Sequence, residues 1–193
     1  MSFRPRPRIL LVGGGGGFVG RALINELVGD HSIRSLHRHA SNHERDRGVE
    51  WVETDIGGEV DWDARLRGVD AVVNVAWDRA GSEAVFRSLS GGLERMVAAA
   101  VRAGVGRLVQ VSVPDAPPSL ETTLPYLVYK RRVDRSIEQS GLSYAILRPS
   151  ALFGPGDKLL GVMMRSIHRY PFFPMFGDGE YTLSPIAVAD LAR

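Results

Sequence analysis

The sequence predicts an α/β fold: a doubly wound parallel sheet with helices on both faces. Short apolar runs alternate with helical patterns along most of the 193 residues. A glycine-rich stretch stands between the first apolar run and the first helical pattern. The pattern breaks after Pro149, where glycine and proline become frequent. Consecutive apolar residues mark strands buried on both faces, and alternation with helices implies right-handed crossovers.

Ile9 to Val12 reads as the first strand, closed by five glycines. Phe18 to Val28 has helical spacing, with Val19, Leu23 and Leu27 on one face and Gly29 in the position of a C-cap. Strands follow at Ile33 to His37, Trp51 to Glu53 and Ala71 to Val75, with a short helix at Asp63 to Leu66. A long alanine-rich helix, Glu83 to Ala103, ends at Gly104. Arg107 to Ser112 and Tyr144 to Leu147 are further strands, flanking a helix at Tyr126 to Ser140 that Gly141 closes. Beyond Pro149 one helix is expected, at Leu159 to Tyr170, and another begins after Asp190. Residues 1–150 therefore read as one unit, and 151–193 as the incomplete opening of a second region.

Composition excludes several functions. Hydrophobic residues make up 44% and charged residues 24%, the balance of a globular chain. No apolar run is long enough to span a membrane. Absence of cysteine removes disulfides, thiolate-bound zinc and thiol catalysis. The net charge of +2 is too small to indicate nucleic acid. Arg4, Arg6 and Arg8 read as a solvated leader, with a phosphate-binding arm as the alternative. No secretory pattern opens the chain, so a cytoplasmic location is expected.

The chemistry begins at the glycines. Gly14, Gly17 and Gly20 are spaced G-x-x-G-x-x-G, after a strand and opening a helix. A pyrophosphate needs close approach to the main chain, and the helix start offers unpaired N–H groups and a positive dipole end. No Lys-Ser or Lys-Thr follows, which disfavours a P-loop. A pyrophosphate-binding turn is thereby expected. At the end of the second strand, where an NAD site places a carboxylate, this chain has His37-Arg38-His39. A guanidinium there suits a 2′-phosphate, so NADP(H) is favoured over NAD(H) with Arg38 as the reader. His31, His37, His39 and His43 are not expected to form a metal set, because no carboxylate sits at ligand spacing with them.

Tyr126 and Lys130 are four apart on one helix face. An ammonium close to a phenol favours the phenolate, and such a tyrosine exchanges a proton with a carbinol or carbonyl oxygen. The pair follows a strand ending in Ser112. Trp77-Asp78 sits where ligand loops lie, and Trp77 either closes over the cofactor or packs. Phe172, Phe173, Met175 and Phe176 form an apolar group that lines a pocket or an interface.

These motifs, in this order, make the chain similar to the extended and atypical short-chain dehydrogenase/reductases, the NAD(P)-dependent epimerase/dehydratase superfamily. Val12 through Gly20 resembles the cofactor loop, which adds Gly16, Phe18 and Val19 to the binding set. Asp55-Ile56 resembles the pair that touches adenine, and Asn74-Val75-Ala76 the segment along the cofactor. Arg148-Pro149 through Phe153-Gly154-Pro155-Gly156-Asp157 resembles the R-P-x-x-x-F/Y-G-P-G element, placing Pro149 beside the cofactor. From Tyr126 onward, Phe176-Gly177-Asp178-Gly179 and Val188 to Ala192 resemble bacterial relatives of the nucleotide-binding accessory subunit of respiratory complex I. The likeness implies a Rossmann fold and an oxidoreductase or epimerase/dehydratase, with hydride transfer in which Tyr126 is the acid/base, Lys130 lies on the ribose and Ser112 on the substrate oxygen. It equally allows a non-catalytic NADP(H)-binding sensor or scaffold. The expected partner is a small-molecule substrate, with a second copy or another protein as further options. Three departures stand out: Val113-Pro114 after Ser112 in place of a second hydroxyl, Ser88 in place of an asparagine, and Gly13 where threonine is common.

Overall fold

Each buried apolar run becomes a strand whose two faces find different helices. The computed structural model describes residues 7–13, 16–38, 48–78, 81–157, 160–170 and 184–193. In chain order the elements are β1 (Arg8–Val12), α1 (Phe18–Leu27), β2 (Ser32–His37), β3 (Val49–Glu53) and α2 (Trp62–Leu66). Next come β4 (Ala71–Asn74), α3 (Glu83–Arg102), β5 (Arg107–Val111), α4 (Pro118–Thr123) and α5 (Pro125–Glu138). The last are β6 (Tyr144–Leu147), β7 (Ala151–Phe153), α6 (Leu160–Arg169), β8 (Pro185–Ala187) and α7 (Val188–Ala192).

The main sheet runs β3-β2-β1-β4-β5-β6, and every neighbouring pair is parallel. Leu10, Val12, Leu36, Val72 and Leu108 point to one face, where Leu93, Met96 and Val97 of α3 and Val133 and Ile137 of α5 cover them. Ile9, Ile33 and Val73 point to the other, against Leu23 and Ile24 of α1 and Ala192 of α7. Strand order reverses between β1 and β4, which leaves a crevice at their carboxyl ends, where open α/β sheets take ligands.

Four details differ from the sequence reading. Gly29 does not cap α1: Val28 ends the helix in right-handed geometry, and the Asp30 and His31 amides return to the Leu27 carbonyl. Gly104 and Gly141, with φ of 67° and 77°, do take the left-handed conformation after α3 and α5. The α4 helix was not anticipated; Pro118 occupies a first-turn position that needs no amide donor. The parallel pair of β7 with β8 was missed as well. Three-residue strands among glycines and prolines carry no periodicity, and only the pairing partner makes them visible. The last helix starts at Val188, whereas the sequence reading placed its start after Asp190.

Candidate active site

The sheet's carboxyl edge is fastened first by a buried amide pair. Asn74 Nδ2 donates to Gln110 Oε1 at 2.7 Å, and Asn74 Oδ1 accepts the Ala76 amide at 3.1 Å. The Val75 amide donates to the Val12 carbonyl, so the segment after β4 is held against the end of β1. Gly13 completes this closure. Its φ is +82°, and a Cβ there would be driven into the backbone and side chain of Ala76. The glycine at this position is a requirement of the backbone, not a lost threonine. Gln110 was missed, since a polar residue at a strand end signals nothing until its register partner, Asn74, is known.

Gly17 is the N-cap of α1, in extended geometry, with no acidic residue in the first turn. Among the described residues, a Cβ on Gly16 would meet nothing within 4 Å, which leaves open space at the turn. Gly14 lies outside the described residues. An uncapped helix start without carboxylates, beside open space, suits a pyrophosphate. Phe18 and Val19 are half-buried and Gly20 is buried. Phe18 also meets the later element: Gly154 and Gly156, both at positive φ, stand with their Cβ positions 3.9 Å from its ring. Asp157 then caps α6, accepting the Leu160 and Gly161 amides at 3.1 and 2.6 Å. Pro149 lies half-buried between β6 and β7.

On the adenine side, Asp55 is exposed and its Oδ1 accepts the Gly57 amide at 3.1 Å, while Ile56 is buried. Ser88 Oγ donates to the Gly57 carbonyl at 2.7 Å, so it ties α3 to the turn after β3. Arg38, its side chain 59% exposed, follows β2 and reaches Asp78 at 3.3 Å. His37 lies edge-on to Trp51, and His39 and His43 lie outside the described residues.

Tyr126 and Lys130 share the face of α5 that looks at α3. Tyr126 lies half-buried against the edge of Phe86. Trp77 stacks on Phe86 with the planes 9° apart. Lys130 is buried, with Nζ donating to the Val111 carbonyl at 2.8 Å and standing 5.3 Å from the Trp77 ring centre. That position is one a cation holds well, between a carbonyl dipole and an aromatic face. Tyr129, the neighbour of the pair, is engaged elsewhere and donates to Glu83 Oε1 at 2.9 Å. Its hydroxyl, with Arg87 second, holds the Glu83 carboxyl below its usual range.

Ser112 is 4% exposed, and its hydroxyl donates to Asp134 Oδ2 at 2.7 Å. Asp134 escaped the sequence reading although it follows Lys130 by one helical turn. Burial pushes its carboxyl above the usual range, opposed by the Ser112 hydrogen bond and by the charges of Arg148 and Lys130.

The described residues of the expected set follow the carboxyl ends of the main-sheet strands, with Tyr126 and Lys130 on α5. Residues 14–165 match the NAD(P)H-binding family. The chain belongs to that family. Among relatives of this NAD(P)H-binding domain, the 2-alkyl-3-oxoalkanoate reductase of Stenotrophomonas maltophilia is 27% identical over 89% of this chain and 59% of its own. The ceramide reductase of Caulobacter vibrioides is 30% identical over 88% of this chain and 54% of its own. The domain therefore spans little more than half the length of these two reductases. A solved structure of a dTDP-glucose 4,6-dehydratase double mutant from Streptomyces venezuelae, with NAD bound, is 25% identical with a TM-score of 0.77, covering 96% of this chain and 69% of that one. Among the described residues no helix is long and apolar enough to cross a membrane.

Proposed function

We propose that this chain is the cofactor half of an NADP(H)-dependent oxidoreductase acting on a carbon that bears oxygen. In this reading residues 1–150 bind the dinucleotide, 151–193 contribute to the substrate side, and the protein is cytoplasmic. A bound nicotinamide supplies or accepts the hydride. Tyr126 gives or takes the proton at the substrate oxygen. Lys130 holds the ribose side and keeps positive charge beside Tyr126, while Ser112 orients the substrate oxygen. One observation carries the reading: Lys130 is drawn inward to the Val111 carbonyl, next to Ser112 and one turn from Tyr126, at the carboxyl end of β5, which pairs with β4. A solvated lysine would point outward. The reductase relatives favour carbonyl reduction, with a 3-oxo acid derivative as the first substrate class to try.

The test is steady-state NADPH oxidation with aldehydes, ketones and 3-oxo esters, comparing wild type with Tyr126→Phe. The expected loss is about 10²- to 10⁴-fold. Equal rates in the two proteins would remove Tyr126 from the chemistry. The NADP(H) preference rests on Arg38, exposed and paired with Asp78. Arg38→Ser is expected to weaken NADPH by about tenfold or more and leave NADH unchanged. Equal weakening of both coenzymes refutes that assignment.

A second reading has its own support. The Ser112 proton is directed at Asp134, away from any substrate, and Ser88 is used to fix a turn. A non-catalytic NADP(H) sensor or scaffold, as in the relatives of the complex I accessory subunit, would tolerate both. Tight NADPH binding without hydride loss, together with a stable protein partner, would mark it.

A further inference from the structure

The Ser112–Asp134 pair is unusual in its balance of charge and burial. Asp134 is 3% exposed. Its Oδ2 holds the Ser112 hydroxyl at 2.7 Å, Arg148 Nη2 approaches only to 3.5 Å, and among the described residues Oδ1 has no hydrogen-bond partner. Asp134 also borders a polar cavity of about 120 Å³, shared with Asp115, Arg131, Arg135, Glu138 and Arg148. A carboxylate with one oxygen unsatisfied is costly to keep buried for packing alone. The cost has a use if the serine is the group being controlled.

We propose that Asp134 is a positioning residue for Ser112, its carboxylate drawing the serine proton away from the substrate oxygen and its neutral acid releasing that proton toward a substrate carbonyl. The proposal rests on the oxidoreductase reading above. A hydroxyl has one proton to give. While Asp134 is ionised, a charge-assisted bond, about twice as strong as a neutral one, claims it. Ser112 then shows the substrate only lone pairs, which a carbonyl oxygen cannot use. When Asp134 is protonated, its own O–H donates to Oγ and the serine proton turns to the substrate. Hydride still comes from the nicotinamide to the carbonyl carbon, and the proton still comes from Tyr126 to the oxygen. Ser112 and Asp134 exchange hydrogen bonds and transfer nothing.

The charged groups facing Asp134 are Lys130 and Glu138 on its own helix and Arg148 after β6. Asp115 after β5, with Arg131 and Arg135, completes the cavity rim. Burial moves the carboxyl upward against the two nearer cations, in the direction that brings its ionisation toward working pH.

The test has two arms on the whole chain. Carboxyl ¹³C NMR follows the titration of Asp134 in wild type and in Ser112→Ala. Loss of the serine donor should move the Asp134 titration upward, and an unmoved titration overturns the proposal. The second arm measures NADPH-dependent reduction of ethyl 3-oxobutanoate against pH. Wild-type kcat should fall as pH rises through the Asp134 titration found by NMR. Asp134→Asn, whose amide donates to Oγ as the neutral acid does, should lack that limb and exceed wild type by about tenfold above it. A uniform loss at every pH shows a merely structural residue and overturns the proposal. Wild-type protein that oxidises no NADPH with any carbonyl defeats the oxidoreductase reading, and the NMR arm still decides whether Asp134 governs Ser112.

Discussion

Gly91 and Gly92 stand side by side in α3, and alanine is expected to act oppositely at the two. In a helix interior alanine is favoured over glycine by about 1 kcal/mol. At Gly91 an added Cβ meets only the Arg95 guanidinium tip at 3.6 Å, ordinary contact with a group that can swing aside. Gly91→Ala should therefore stabilise by about 1 kcal/mol. At Gly92 the Cβ would be built into the Ile56 carbonyl oxygen, with the carbonyl carbon at 2.8 Å and Cγ2 at 3.3 Å. Real Cβ atoms essentially never come within 3.0 Å, and here the obstacle is backbone. The turn after β3 and the helix must part by about an ångström or more to restore contact distance. That motion would lift Leu93, Met96 and Val97, which seal one face of the sheet. Overpacking of this kind costs about 1–3 kcal/mol, enough to cancel or reverse the propensity gain. The variants should differ by about 1–3 kcal/mol in urea unfolding, or several degrees in Tm at roughly 2–4 °C per kcal/mol for this size. Gly92→Ala should also weaken NADPH, because Ile56 adjoins Asp55 on the proposed adenine side. Equal stabilities, or a more stable Gly92→Ala, would refute the close approach of α3 to that turn.

Gly13→Ala should cost about 1–2 kcal/mol from the positive φ alone, with more from the contact with Ala76, and should reduce coenzyme binding in a fluorescence titration; unchanged unfolding and binding would contradict the closure. Gln110→Leu strands the Asn74 amide in the core and should destabilise by about 1–3 kcal/mol in urea; no loss would mean that the amide finds another partner. Asp134→Asn tests linkage. The folded carboxyl titrates above its ordinary value of 3.8, so both folded and unfolded chains are protonated below that value and the wild type is unpenalised. As pH rises through the folded value, the unfolded chain has already ionised and wild type loses stability. The advantage of Asp134→Asn over wild type should therefore grow from acid to neutral pH, and a constant difference would show that burial does not raise this carboxyl.

Strands such as β1 and β4 were legible as apolar runs bounded by turn residues, a local property, and β2 and β3, which carry charged residues, from their place in the alternation with helices. The glycine spacing and the Tyr126–Lys130 pair were legible for the same reason: both are offsets within one turn or one helix. What the residue order could not reveal depends on who lies opposite. Gln110 matters because β4 and β5 place it beside Asn74. Asp134 matters because the carboxyl end of β5 brings Ser112 within 2.7 Å of it. The strands β7 and β8 exist only as partners of each other. Gly29 looked like a cap and is not one, because its neighbours' amides turn back to Leu27 without left-handed geometry.

Local pattern thus determined the fold class and the kind of ligand, since hydrophobic period and glycine placement act over a few residues at a time. Only the tertiary structure decided where the serine proton points and which glycines admit no methyl. Those outcomes depend on distances between segments far apart in the chain, and a buried polar or steric contact is governed by such distances at the scale of an ångström.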